Sequence, residues 1–154
     1  MNGEKFEIQP SKKFQVDYEY TTYSDETLIA DVETITEGMI PDPEGSGLHL
    51  EILVEYPLLE AVKAFHNKGI KTFASSANRK DVNIGVVYVI LYLDSLNENN
   101  RKIAENFQIY ERQQGRELDK LVKIALPVDK ETTVGDVREE FKKIVDIFED
   151  QNQN

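Results

Sequence analysis

The sequence predicts a single α+β domain, and three observations carry that prediction. Stretches that alternate apolar and polar residues mark strands, as in "LHLEILVEY", where Leu48, Leu50, Ile52, Val54 and Tyr56 share one side. Segments whose apolar residues recur every three or four positions mark helices, most cleanly Val134, Val137, Phe141, Ile144, Val145 and Phe148. Between them lies "GVVYVILYL", apolar on both faces. Only a central strand covered on both sides carries such a run without inviting aggregation. From Leu48 onward the order reads strand, helix, strand, strand, helix, strand, and then one more helix. This is the split βαβ order of ferredoxin-like domains, expected over residues about 48–127.

Each element has its own local reason. "FQVDYEYTTYS" places Phe14, Val16, Tyr18 and Tyr20 at period two, and "ETLIADVETIT" repeats the period with Leu28, Ala30 and Val32. With the polar "YSDE" as a turn, the pair predicts a hairpin within residues 1–47 that extends the sheet. "EGMIPDPEGSG" holds two Pro and three Gly and predicts a loop. Pro57 suits the first turn of a helix that buries Leu58, Val62 and Phe65, and Gly69 suits its end. "IKTFASS" predicts a short strand and "ANRKDVN" a connection into the central one. Ser95 with Glu98 forms a capping-box pattern, predicting a helix that bears Leu96, Ile103, Phe107 and Tyr110 and stops at Gly115. "LDKLVKIALPV" is the last strand. Thr133 with Asp136 then starts the final helix, over 133–150, which is expected to cover the second face of the sheet.

The chain has 154 residues, 40% of them apolar, enough to bury a core without covalent staples. It has no cysteine, which excludes disulfides, thiolate metal sites and cysteine nucleophiles. No run reaches the roughly 20 apolar residues that span a bilayer, and "MNGEKFEIQP" lacks a signal-type apolar stretch. A cytoplasmic location without membrane contact is the expectation.

Charge is unevenly placed. Residues 1–60 hold 14 acids against three Lys, whereas residues 61–154 hold 15 acids and 15 bases, so the net charge of −11 belongs to the first part. Such a segment repels phosphate polymers, because nucleic-acid affinity rests on cations that release counterions. An RNA-binding sheet would also need aromatic residues at set strand positions, and "NIGVVYVIL" has Val86 and Leu91 where these belong. No direct contact with nucleic acid is expected.

Catalytic and metal patterns fail on spacing. His49 and His66 stand 17 residues apart with no ligand-type partner. A G-x-S-x-G elbow is missing, and "PDPEGSG" lacks most oxygen ligands of a calcium loop. Neither a metal nor a cofactor is expected. Two surfaces remain. Asp17, Tyr18, Glu19, Tyr20, Asp31 and Glu33 interleave acids with tyrosines in a stretch without cations, the chemistry that recognises a basic protein. Lys71, Ser75, Ser76, Asn78, Arg79 and Lys80 gather hydroxyls and cations around the Ser75–Asp81 connection, where a small anion or metabolite could sit against the "PDPEGSG" loop. That connection lacks the Gly-rich turn of a phosphate cradle. The leading expectation is a non-catalytic interaction or regulatory protein with a basic protein partner. The alternative is an anion- or metabolite-binding domain, enzymes included, and self-association through the hairpin edge is compatible with either.

Overall fold

The computed structural model describes residues 3–8, 18–34 and 54–152. Strands β1 (Gly3–Ile8) and β2 (Tyr18–Tyr23) form an antiparallel pair of their own. Helix α1 (Tyr56–Asn67) leads into β3 (Thr72–Ser76), the short helix α2 (Arg79–Ile84) and β4 (Val86–Tyr92). Helix α3 (Glu98–Ala104), β5 (Gln108–Gln114), β6 (Glu117–Pro127) and α4 (Val134–Asp146) complete the order. β3 to β6 make one four-stranded antiparallel sheet in the order β3-β4-β6-β5. The α+β class is therefore as expected.

β4 lies inside the sheet between β3 and β6, as its two apolar faces require. Val87, Val89 and Leu91 point to the covered face and are wholly buried with Val122 and Ile124 of β6. Leu58, Val62 and Phe65 of α1 and Val137, Phe141 and Val145 of α4 belong to that same core, so α4 packs beside α1 on one face of the sheet and does not cover the second face as expected. Phe148 seals the end of it, edge-on to Phe65 at 5.4 Å and stacked on Phe107 at 6.3 Å between ring centres. The register puts Tyr88, Ile90 and Tyr92 on the far face with Leu121 and Lys123.

Several expectations are corrected. β6 pairs directly with β4 over seven positions, the place that a split βαβ order gives to the strand before α1. That strand was expected over 48–56. Residues 48–53 lie outside the described residues, and Tyr56 already begins α1. The N-terminal hairpin does not extend the main sheet, and the partner of β2 is β1 rather than residues 26–36. Residues 29–31 form a 3-10 turn that buries Ile29 and Val32, three apart, with a single bridge from Leu28 to Thr133. The long helix ending at Gly115 is replaced by α3, capped by Asn97 rather than Ser95, and by the edge strand β5. Gly115, at φ 62°, turns the β5–β6 hairpin. Helix ends and tight hairpins both call for a left-handed residue, so the glycine alone did not discriminate. The "ANRKDVN" connection contains α2, whose capping box is Asn78 with Asp81.

Candidate functional site: an acidic groove between two helices

α1 and α4 lie side by side, pinned at both ends. At one end Lys68 Nζ donates to the carbonyls of Val145 (2.8 Å) and Phe148 (2.7 Å), capping the C-terminal end of α4 with a cation. At the other end the segment after β2 seats against the start of α4. Val134 N donates to the Thr27 carbonyl (2.7 Å) and Gly135 N to the Asp25 carbonyl (2.9 Å). A Cβ on residue 135 would stand 2.8 Å from Asp25 Cβ and 3.0 Å from the Asp25 carbonyl oxygen. Glycine is what lets Asp25 come this close to the helix. Thr133 caps α4, its side chain accepting from Asp136 N and its own N–H donating to the Asp136 carboxylate.

Between these pins runs a cleft of about 880 Å³. Pro57, Ala61, Ala64 and Val145 give it an apolar floor. Its walls carry Asp25, Glu26 and Glu60 on one side and Asp136, Glu139 and Asp146 on the α4 side, against only Arg138 and Lys142 as cations. Glu139 has Lys143 at 3.8 Å on its own helix. Arg138 is the cation held inside the cleft. Its Nη1 donates to Asp25 Oδ1 at 2.8 Å, and its guanidinium carbon lies 5.1 Å from the centre of the Tyr56 ring. Partial burial lowers the Arg138 pKa, but the hydrogen bond to Asp25 and the fields of Tyr56, Asp25 and Glu60 outweigh that and raise it overall. The guanidinium is thus held by a carboxylate and an aromatic face together.

The residues expected from the sequence as sites are dispersed. Tyr18, Glu19 and Tyr20 lie on β2, Asp31 and Glu33 are exposed just after it, and Asp17 lies outside the described residues. Around the Ser75–Asp81 connection, the polar groups are taken up by the protein itself. Glu55 accepts from Ala77 N (2.8 Å) and Asn78 Nδ2 (2.7 Å). Asp81 Oδ2 accepts from Ser76 Oγ (2.7 Å) and Asn78 N (2.9 Å). Two carboxylates therefore occupy donors of Ser76, Ala77 and Asn78, and Tyr88 beside them has its pKa raised, first by burial and then by Asp81 and Glu55. Ser75 pairs with Val89 and faces the core side, whereas Lys71 precedes the opposite end of the five-residue β3. Arg79 and Lys80 are exposed. The "PDPEGSG" loop and His49 lie outside the described residues. His66 is exposed and bonds Thr72 Oγ1 through Nε2 at 2.9 Å, with its pKa lowered by partial burial.

Sequence reasoning missed Tyr56, Glu60 and Arg138. Their spacing carries no motif, because they meet only through the packing of α1 on α4. Among the described residues no group of three or more His, Cys, Asp or Glu could hold a metal ion, and no helix is long and apolar enough to cross a membrane. No family model, curated protein or solved structure matches the chain.

Proposed function

We propose that this protein is a non-catalytic interaction domain that binds a cationic segment of a partner protein in the groove between α1 and α4. The observation that carries the reading is the lining of that groove, six carboxylates and two cations around an apolar floor. Lys and Arg side chains suit such a place, since their methylene stems cover apolar surface while the charged heads reach acids at the rim. Charge complementarity of this kind speeds encounter and selects the partner more than it adds raw affinity. Asp31 and Glu33 carry the same sign of charge on the segment that follows Asp25, so the acidic N-terminal region expected from the sequence belongs to this proposal as its flank.

The test is fluorescence anisotropy with a labelled oligolysine peptide. Binding is expected to weaken steeply between 50 and 300 mM salt, roughly as the Debye length shrinks below the width of the groove. Replacing Glu60→Gln, Glu139→Gln and Asp146→Asn together is expected to weaken binding about tenfold or more, the equivalent of ~1.4 kcal/mol. Affinity unchanged in the triple variant would sink the groove as the site. If instead Asp31→Asn with Glu33→Gln carried the whole loss, the partner would dock on the N-terminal segment.

A further inference from the structure

The groove already holds one guanidinium, and it is the protein's own. Arg138 is seated with Asp25 at 2.8 Å and the Tyr56 ring at 5.1 Å, while its side chain remains 33% exposed. An arginine from a partner would find in Asp25 and Tyr56 the groups that now hold Arg138, within the field of Glu60. We propose that this cage is a specificity pocket for arginine, and that Arg138 is a resident competitor which a partner arginine must displace. The inference rests on the groove being a receptor for cations, and adds which cation it selects and what limits its affinity.

Three features favour exchange over a fixed structural pair. The Asp25 carboxylate is 60% exposed, so it can be approached from solvent while Arg138 is still in place. Arg138 projects from the second turn of α4, so its release needs only a rotamer change, with Val137 and Phe141 keeping the helix on the core. The cage is also assembled independently of Arg138: the backbone of Asp25 is held by Gly135 N, and Tyr56 packs on the buried Tyr23 at 6.3 Å between ring centres. Removing Arg138 therefore leaves the pocket standing. Arginine is favoured over lysine there because a planar guanidinium stacks on a ring while bonding a carboxylate at its edge, whereas an ammonium is a compact, strongly hydrated point charge.

The experiment compares hexa-arginine and hexa-lysine peptides on the wild-type chain, on Arg138→Ala and on Lys142→Ala. Lys142→Ala removes one positive charge from the same groove without emptying the cage, so it measures the general electrostatic gain. Arg138→Ala is expected to tighten hexa-arginine by about tenfold, and to tighten hexa-lysine by no more than Lys142→Ala does. Equal gains on both peptides, or a gain for Arg138→Ala no larger than that for Lys142→Ala, would overturn the competitor role while leaving the groove reading intact. Absence of binding by either peptide to any of the three proteins would overturn both. Should Arg138→Ala fail to fold, the wild-type chain supplies a second readout. Adding hexa-arginine is expected to shift the Arg138 Nε–H resonance as the side chain leaves Asp25, and a resonance unmoved at saturation would overturn the proposal.

Discussion

The far face of the sheet and the groove between the helices treat their cations in opposite ways. On the far face Lys123 sits 4.8 Å from the centre of the Tyr88 ring, and Arg112 sits 5.1 Å from that of Phe73, which packs edge-on to Tyr92. Lys123 stands diagonally across from Tyr88 on the paired strands β4 and β6, whereas Arg112 reaches Phe73 from the opposite edge strand, so each cation finds an aromatic surface close at hand. In the groove, two helical walls bring acids towards each other, and only Arg138 is caught between them. The location of unneutralised charge is therefore a tertiary property. Composition assigns all the net charge to residues 1–60, yet Asp136, Glu139 and Asp146 come from the charge-balanced remainder. α4 supplies them because its buried stripe turns the acidic side of the helix towards α1.

The contrast predicts where the molecule is rigid and where it tolerates change. Phe141 is wholly buried in the helix layer behind the groove. Phe141→Ala is expected to cost about 3–5 kcal/mol, combining lost transfer energy with the cavity left behind. Urea denaturation measures it. On the far face, Tyr88 is only half-buried, and Tyr88→Ala is expected to cost clearly less; equal losses would erase the distinction between a packed layer and a surface ladder. Gly135→Ala comes next. Its Cβ would press on the Asp25 backbone at 3.0 Å, so the segment must shift, at an expected cost of about 1–3 kcal/mol. Because that segment positions Asp25, the same variant is expected to shift the Arg138 Nε–H resonance. A destabilised protein with Arg138 unmoved would mean that Asp25 is held by something other than Gly135.

How much of this was legible beforehand follows from what each residue touches. The start and the buried stripe of α4 were readable, because Val134, Val137, Phe141 and Val145 meet one core and Thr133 with Asp136 is a local cap, whereas its place beside α1 was not, since no local pattern says which face of the sheet a helix covers. β4 was readable because it lies between two strands, with Val87, Val89, Ile90 and Leu91 buried and Val86, Tyr88 and Tyr92 half-buried. β5 was not: at the sheet edge nearly all of its residues are exposed, so no alternation was selected, and Ile103, Phe107 and Tyr110 happened to fall at helical spacing. Residues 28–32 misled in the opposite sense. Leu28, Ala30 and Val32 alternate, but the backbone of Ile29 is bonded to Thr132 and that of Val32 to Arg79, contacts that no local pattern encodes. The groove itself was not legible, and only the acidic character of part of its lining was. Asp25 and Glu60 belong to the acidic stretch, whereas Arg138 becomes conspicuous only once α4 lies against α1.

The smallest predicted effect separates the two kinds of cation most sharply. Lys123 with Tyr88 is expected to show a coupling of about 0.5–1 kcal/mol in a double-mutant cycle built from Lys123→Met and Tyr88→Leu. The hydrogen bond between the Tyr88 hydroxyl and the Ser76 side chain is lost in both arms of the cycle and cancels. An aromatic ring has no net charge, so this coupling is expected to change little between 0.1 and 1 M salt. The Arg138–Asp25 pair, measured with Arg138→Met and Asp25→Asn, is expected to start at a similar size of about 0.5–1 kcal/mol for an ion pair that is part-exposed on both sides. At 1 M salt, where the Debye length is about 3 Å, it should fall towards zero. If the Lys123 coupling fell in parallel, that cation would be held by carboxylates and not by the ring. The far face would then be a second acidic surface, and the groove would lose its claim to be where this protein's unpaired charge does its binding.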